Sequence, residues 1–308
     1  MSDKHIHFEH ISDYFSAIGR VAPSHPLVST LKVSASELAA RPRRFPEGAR
    51  LSGGFYYLSL KQIVSGQVHY GRTEYDCQTG TLLAMAPRQT MATSDVITRS
   101  DTRVLMLHPD YIRGHAVETL ISDCGFFHYQ VNEALHLSES EQQTLHHLFD
   151  ALDEELMSSR YDPSSRDIVL AHLTVLLHYC QRFYRRQFLQ RREMVGDWHT
   201  RLQGVLDTHY SGNGLTTLPD LQVLSTQLRV SPRYLSDALK SETGSSAKAC
   251  IQQYIIDKAK SLLLADDQNV SSVAYSLGYE SGNYFTRVFK KKTGMTPSQY
   301  RDTLRSRH

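Results

Sequence analysis

A repeat of about fifty residues near the C-terminus constrains the fold more than any other feature of the sequence. The stretch SPRYLSDALKSETG begins at Ser231, and SGNYFTRVFKKKTG begins at Ser281. Both copies place large apolar side chains four residues apart, Leu235 and Leu239 in the first and Phe285 and Phe289 in the second. That spacing puts the apolar side chains on one face of a helix, so the repeat predicts two like-built amphipathic helices with these side chains in the core.

The ends of both copies carry helix-capping residues. A serine begins each copy, and its hydroxyl can accept a hydrogen bond from an otherwise unpaired backbone N–H. Pro232 follows the first serine, at a position where its missing N–H costs nothing. Gly244 and Gly294 end the copies, where a left-handed residue is favoured. We call the two predicted helices the reading helices.

A shorter predicted helix precedes each reading helix, after a tight turn. The first is DLQVLSTQLRV, capped by Asp220, and the second is SSVAYSLGYE. Two helices joined by so short a turn form a helix-turn-helix unit, and a unit that occurs twice is a stronger signal than one. We predict units at about 220–244 and 270–294.

A helix predicted from about 246 to 265 connects the two units. Its apolar residues recur on one side, and they are Ile251, Tyr254, Ile255, Ala259, Leu262 and Leu263. Twenty residues of helix span about 30 Å. This is close to the roughly 34 Å between successive major grooves on one side of a duplex. The connecting helix is therefore long enough to present both reading helices to one DNA molecule.

The second unit closely resembles the signature of AraC/XylS-type regulators. The matching residues are Ala274, Gly278-Tyr279, Phe285, Phe289-Lys290, Gly294, Pro297 and Tyr300-Arg301. The resemblance covers about residues 198–306. It implies an all-α DNA-binding domain at 198–308 that binds double-stranded promoter DNA as a transcription regulator. Family habit favours an activator, with RNA polymerase as a further partner.

The resemblance also implies which side chains of the reading helices face DNA. They are Arg233, Ser236, Asp237 and Lys240 in the first helix and Gly282, Asn283, Thr286 and Arg287 in the second. Arg can bind guanine through two hydrogen bonds, Asn can pair with adenine, and a Thr methyl can contact thymine. Asp237 has three interpretations: it accepts from cytosine, orients Arg233, or faces solvent. Asn283 and Arg287 are the strongest candidates, while Gly282 has no side chain to contribute.

Charge is unevenly distributed along the chain. Residues 201–308 hold 14 Lys and Arg against 9 Asp and Glu, a net +5, whereas residues 1–200 hold 20 against 23, a net −3. The basic part is therefore the candidate for a polyanionic partner. Its lysines are interpreted as phosphate contacts or as solvated charge, and they are Lys240, Lys290, Lys291 and Lys292. Tyr234 and Tyr284 could either pack or bond a phosphate.

Residues 1–195 have a different organisation. Residues 1–34 show little periodicity and are predicted to form an irregular arm. Residues 35–108 have short β-type runs separated by Gly and Pro turns, which is typical of a small antiparallel barrel or sandwich. The family resemblance implies a cupin-like β-barrel sensor there. Its aromatic residues, Phe55, Tyr56, Tyr57 and Tyr70, would either line an effector pocket for a small molecule or pack in the core.

Residues 109–195 show helical periodicity. Ser138 and Glu141 form a capping-box signature at the start of one helix. A second helix, predicted from about 164 to 190, is apolar around much of its circumference. Such a helix needs partners on several sides. We interpret the region as a dimerisation segment that makes a homodimer, or else as a helix buried between its neighbours. The predicted fold class is thus α+β with two domains.

Several classes of function are not favoured. The chain has no apolar run long enough to span a membrane and no apparent secretion signal, and its four cysteines are scattered; a cytoplasmic location with no membrane partner is expected. The barrel segment has His69 with Glu74, and His5 and His7 form an H-x-H pair, which is too little for a catalytic metal. We expect no enzyme, no metal and no cofactor. The alternatives are a cupin-type enzyme with a DNA-binding tail and a ligand-independent regulator whose barrel dimerises.

Overall fold

The computed structural model describes most of the chain. The described residues are 5–34, 36–37, 45, 49–61, 63–65, 80–92, 97–98, 102–129, 133–158, 162–195, 197–211, 217–265 and 269–305. Two compact units divide the chain, one from residue 1 to 187 and one from residue 188 to 308. The division falls inside a helix that both sequence and structure assign, rather than between residues 195 and 198 as predicted. A single helix continues across the boundary, so the helical pattern of the sequence does not show where one unit ends and the other begins.

The first unit contains most of the β-structure. Its strands are β1 (His5–Phe8), β2 (Val28–Val33), β3 (Arg50–Gly53), β4 (Tyr56–Lys61), β5 (Ile63–Ser65), β6 (Thr81–Met85), β7 (Met91–Ala92), β8 (Ile97–Thr98), β9 (Thr102–Leu107) and β10 (Leu135–His136). An antiparallel five-stranded sheet has the order β10-β6-β4-β9-β2. Smaller groups are β1-β3-β7 and β5-β8.

Among the described residues these strands form three separate sheets and do not close into a barrel. The cupin-like barrel is therefore not confirmed, although the prediction of short antiparallel strands is. The central strands β4, β6 and β9 supply much of the core, including Leu58, Leu60, Leu82, Leu105 and Met106. Pairing between distant segments decides whether a sheet closes, and short apolar runs do not encode that pairing.

The prediction that residues 1–34 form an irregular arm is wrong. β1 pairs in parallel with β3, helix α1 (Ile11–Ala17) follows, and β2 forms an edge of the large sheet. Phe8, Ile11 and Phe15 are buried in one core cluster. These elements are too short to show a period in the sequence, and they are stabilised by long-range contacts instead.

Besides α1, the α-helices that begin in the first compact unit are α2 (Pro109–Ile112), α3 (Ala116–Asp123), α4 (Glu139–Met157) and α5 (Pro163–Val195). The capping box is confirmed at α4: the Ser138 hydroxyl accepts from the Glu141 backbone N–H at 3.3 Å, and a Glu141 carboxylate oxygen accepts from the Ser138 N–H at 2.9 Å. The region is not wholly helical, since β10 joins the edge of the sheet. That strand has two residues, too few for a sequence pattern to predict.

The second unit is helical wherever the structure describes it. Beyond the end of α5 its helices are α6 (Trp198–Tyr210), α7 (Leu221–Gln227), α8 (Pro232–Thr243), α9 (Ala247–Ala265), α10 (Val270–Ser276), α11 (Gly282–Thr293) and α12 (Pro297–Arg305). These bounds confirm both predicted helix pairs and the predicted connecting helix. Within the described ranges, no helix has both the length and the apolar character needed to cross a lipid bilayer.

Candidate nucleic-acid interface

The two reading helices, α8 and α11, begin and end in the same way. The hydroxyls of Ser231 and Ser281 accept from the backbone N–H of the third residue on, at 3.2 and 3.4 Å. Gly244 and Gly294 end the helices with φ of 75° and 82°, and each donates its N–H to a lysine carbonyl four residues earlier. The predicted caps are therefore confirmed at both copies, and both helices have defined lengths and N-termini.

The turns inside the two units are related but not identical. In the first, Arg229 has φ of 59°; in the second, Gly278 has φ of 89°. Arg229 and Gly278 donate to the third residue before them at 3.0 and 2.9 Å, so they are equivalent positions. They lie 49 residues apart, whereas Ser231 and Ser281 lie 50 apart. The second turn therefore contains one extra residue.

Gly278 is required for a second reason. A Cβ at this position would lie 2.3 Å from the Thr217 carbonyl carbon and 2.4 Å from the Leu218 backbone nitrogen. The backbone that leads into the first unit thus passes directly against the turn of the second. Tyr210 adds a bond there, since its hydroxyl donates to the Leu277 carbonyl at 3.2 Å. The two helix-turn-helix units are therefore packed together as one C-terminal module.

The connecting helix α9 contacts elements of both units. Its first backbone N–H, that of Ala247, donates to the Ser236 hydroxyl at 3.3 Å. Ile251, Ile255 and Leu263 are buried along it, and the Arg301 guanidinium donates to the Leu263 carbonyl at 3.0 Å. Nineteen residues of helix extend about 28 Å. The predicted connecting helix is therefore present and is hydrogen-bonded to the rest of the module near both of its ends.

The predicted base-contacting residues do not all have the same surroundings. Arg233, Asn283 and Arg287 are exposed, and Asp237, Thr286 and Ser236 are half-buried. The Asp237 carboxylate accepts from the Arg233 guanidinium at 3.2 Å, which matches the interpretation that Asp237 orients Arg233. The Ser236 hydroxyl is engaged inside the module by Ala247, a role that the sequence does not reveal.

The two repeat tyrosines have different environments. Tyr234 is fully buried and contacts the rings of Phe188 and Trp198, so it packs in the core. Tyr284 is 48% exposed, and the Arg287 guanidinium carbon lies 5.2 Å from its ring centroid. The apolar residues predicted as core, Leu235, Leu239, Phe285 and Phe289, are all buried.

The predicted phosphate-contacting lysines lie toward the C-terminal ends of the reading helices. Lys240 is exposed in the last turn of α8, and Lys290, Lys291 and Lys292 are exposed in the last turn of α11. Positive charge at this end of a helix is favoured by the helix dipole. The position suits either a solvated charge or a phosphate contact.

A separate cavity lies in the N-terminal compact unit, residues 1–187. Its lining is mostly aromatic and apolar: Phe8, Tyr14, Leu51, Ser52, Gly53, Phe55, Tyr57, Met85 and Ala86. Phe55 and Tyr57, both predicted as pocket residues, are there, whereas Tyr70 lies outside the described residues. Phe8 and Tyr14 were missed because they belong to the segment predicted as an arm. Burial raises the pKa of the Tyr57 hydroxyl.

The H-x-H pair lies beside this cavity. His5 Nε2 and His7 Nδ1 are each 2.8 Å from the Ser52 hydroxyl, and His7 Nε2 is 2.9 Å from a Glu9 carboxylate oxygen. The hydrogen bond with His7 lowers the pKa of Glu9. Among the described residues, His, Cys, Asp and Glu form no group of three or more that could hold a metal. His69 and Glu74 lie outside the described residues.

Comparisons with known proteins agree with the C-terminal architecture. A family model described as a helix-turn-helix domain matches residues 224–303. The "Uncharacterized HTH-type transcriptional regulator YtdP" of Bacillus subtilis is 37% identical over 86 residues, 28% of this chain and 11% of the relative. The "HTH-type transcriptional activator RhaR" of Salmonella typhi is 36% identical over 81 residues, 26% of this chain and 29% of the relative.

A solved structure, the C-terminal domain of AraT, a response regulator from Geobacillus stearothermophilus, is 33% identical with a TM-score of 0.30, covering 34% of this chain and 84% of that one. The matched segment is less than a third of the length of either curated relative. The family-model match lies within the C-terminal module. Together with the signature residues on α10 to α12 and the two curated relatives, it leads to one assignment: residues 224–303 are an AraC-type helix-turn-helix domain.

Proposed function

We propose that the chain is a transcription regulator that binds double-stranded promoter DNA through α8 and α11. The observation that carries the proposal is the pair of identically capped helices held by one connecting helix of about 28 Å. Reading helices that enter successive major grooves on one side of B-DNA are about 34 Å apart. The interlocked packing around Gly278 would hold both helices in a constant relation to one duplex.

The exposed side chains on the reading helices would supply the sequence preference. Arg287 and Asn283 lie in the N-terminal half of α11, the part of a recognition helix that contacts base edges. Thr286 would add a methyl contact there. Arg233, oriented by Asp237, and Ser236 would serve the first helix, with Arg233 directed to guanine.

The lysines at the ends of the reading helices would supply affinity without sequence choice. Each phosphate contact lowers the slope of log affinity against log salt by about 0.9. Replacing Lys290, Lys291 and Lys292 together with Ala would therefore flatten the salt dependence while leaving the preferred sequence unchanged.

Selection of bound duplexes from a randomised library tests the proposal directly. The full chain should enrich a sequence with two contacted segments about one helical turn apart. The N283A/R287A double variant should lose the preference in one of the two segments and keep it in the other. A chain that enriches no sequence, or a double variant with an unchanged preference, would count against the proposal.

We further propose that α5 makes a homodimer. Ile168, Val175 and Leu189 are exposed apolar residues on this helix, at multiples of seven residues. Such spacing is typical of a helix that packs against another helix. The exposed acids Asp162, just before the helix, and Asp167, in its first two turns, precede the exposed bases Arg182 and Arg185. A second copy in antiparallel orientation would therefore place acidic and basic halves together.

The dimer proposal has a matched pair of variants. Val175→Glu places a charge in the apolar seam and should shift the chain toward monomer in sedimentation analysis. The control is Gln143→Glu, at an exposed position on α4 rather than on α5, which should leave the assembly state unchanged. Monomer in the unaltered chain at micromolar concentration would remove the proposal.

We also propose that the cavity beside β1 and β3 binds a small-molecule effector with an apolar body and one polar group. The aromatic lining would hold the body, and the Ser52 or Tyr57 hydroxyl would meet the polar group. Binding would change how the regulator engages its promoter and RNA polymerase, and we propose activation as the outcome. A thermal-shift screen should find ligands that stabilise the unaltered chain and not the Phe55→Ala variant.

A further inference from the structure

Arg287 has an unusual neighbour for a base-reading candidate. Its guanidinium carbon lies 5.2 Å from the centroid of the Tyr284 ring, three residues earlier on the same face of α11. This is within the range at which a guanidinium is attracted to the face of an aromatic ring. The contact therefore restricts a long side chain that otherwise samples many rotamers.

The Tyr284 ring is far more exposed than the tyrosine at the equivalent position of the first repeat copy. Its repeat partner, Tyr234, is fully buried against Phe188 and Trp198, whereas Tyr284 is 48% exposed. The Tyr284 ring lies beside the ring of the buried Tyr279, with 5.9 Å between the two ring centroids. Tyr279 therefore supports the Tyr284 ring from the body of the module. The same residue type thus serves the core in one unit and lies beside an exposed cation in the other.

The first unit holds its arginine by different chemistry. Arg233 donates to the Asp237 carboxylate, which uses a guanidinium N–H and cancels part of the charge near DNA. A ring stacked near a guanidinium uses neither, because all five N–H groups lie in the guanidinium plane. Guanine needs two of those N–H groups for its O6 and N7 acceptors. An aromatic neighbour therefore orients Arg287 without competing for the base.

We propose that Tyr284 is a positioning residue that orients Arg287 for base readout. The inference rests on the proposed function, since it requires α11 to face the bases of the duplex. It assigns Tyr284 no phosphate contact, and it makes the ring, not the hydroxyl, the working part of the side chain. Tyr284→Phe should therefore behave like the unaltered chain.

The test uses the full chain and the duplex that it selects from a randomised library. All four bases are placed at each position of the segment read by α11, and affinities are measured by competition. R287A should abolish discrimination at one base pair. Y284A should reduce discrimination at that same base pair by about two- to fivefold. Adding Y284A to R287A should cause no further change there.

The matched control is Tyr275→Ala, because Tyr275 is another exposed tyrosine of the second unit, on α10. That variant should retain discrimination at the base pair read by Arg287. The inference is overturned if Y284A discriminates normally, if it weakens binding to all sequences equally, or if Y284F is as impaired as Y284A. If R287A also discriminates normally, base reading by Arg287 fails as well; if R287A alone loses discrimination, the proposed function stands without this inference.

Discussion

The two helix-turn-helix units share a sequence pattern and use it differently. Their reading helices have the same serine and glycine caps. Yet Tyr234 is core where Tyr284 is surface, Arg229 takes a left-handed backbone where the second unit has Gly278, and Glu242 occupies the repeat position of Lys292. The repeat conserves what a helix needs, while its neighbours decide what each remaining side chain does.

The largest expected difference between the units is at the repeat tyrosines. Tyr234→Ala should lower the free energy of unfolding by about 3–5 kcal/mol, because it leaves a cavity beside Phe188 and Trp198. Tyr284→Ala should cost less than about 1 kcal/mol, as is usual at exposed positions. Urea unfolding of both variants measures the contrast. Equal losses would mean that the two rings have similar environments.

A large effect is also expected at the turn of the second unit. Gly278→Ala should cost about 3 kcal/mol or more, because the new methyl would overlap the Thr217 backbone and φ is 89°. Gly294→Ala is the control: its φ is 82°, but a Cβ there meets nothing within 4 Å. That change should cost about 1 kcal/mol. Similar costs in urea unfolding would contradict the interlocked packing of the two units.

A smaller effect of opposite sign is expected at the turn of the first unit. Arg229→Gly should raise the free energy of unfolding by up to about 1 kcal/mol, because a non-glycine residue is strained at φ of 59°. Arg229→Ala keeps the strain and should bring no gain. Both variants remove the Arg229 side chain, so any loss of a phosphate contact would lower DNA binding equally in the two. Thermal unfolding without DNA therefore measures the backbone effect, and equal stability of the two variants would contradict it.

The smallest effect is expected at Glu242, and it depends on pH. Burial, and then the hydrogen bond with Asp197, raises the pKa of Glu242 to about 7. Its carboxylate accepts from the Trp198 and His199 backbone N–H groups at 3.2 and 3.3 Å. Because the folded-state pKa is raised, the stabilisation is present below the ordinary pKa near 4.5 and is lost as pH rises through about 7.

Glu242→Gln should remove that part of the pH dependence. The amide has a single acceptor oxygen for the two N–H groups, which bond different oxygens of Glu242, so one of those bonds is weakened at every pH. The amide NH2 can donate to Asp197 and carries no charge, so the stability of the variant relative to the unaltered chain should rise as pH increases through 7. Unfolding midpoints between pH 5 and 8 test it. Lys292→Gln, at the repeat position in the second unit, should leave the pH profile unchanged. Parallel profiles for the unaltered chain and E242Q would refute the assignment.

Much of the C-terminal module could be predicted because its signals are local. Serine, proline and glycine act on the backbone within a few residues, and the apolar spacing of α8 and α11 is visible in a single turn. Asp237 as a partner of Arg233 was among the interpretations for the same reason, since the residues are four apart on one helix. Ser236 as the cap of α9 was missed because its partner, Ala247, is on another element.

The N-terminal compact unit, residues 1–187, was harder to predict because its strands and its cavity are formed by segments that are distant in the sequence. β1 pairs with β3 some 45 residues away, and the cavity combines Phe8 and Tyr14 with Phe55 and Tyr57. The candidate pocket was therefore half identified: the residues on β4 and its preceding turn were predicted, and those from the start of the chain were not. Short strands and a seven-residue helix have too few residues to show a period.

The sequence by itself determined that two capped helices, each after a short helix and a tight turn, would be joined by a long helix. Caps and helical faces follow from residues three or four apart, so they need no knowledge of the rest of the fold. Tertiary structure alone decided that Tyr234 would be buried and Tyr284 exposed, that Gly278 would touch the Thr217 backbone, and that the first strands would form separate sheets. Those outcomes depend on which distant segments share a surface, and free energy from burial is gained only when both are present.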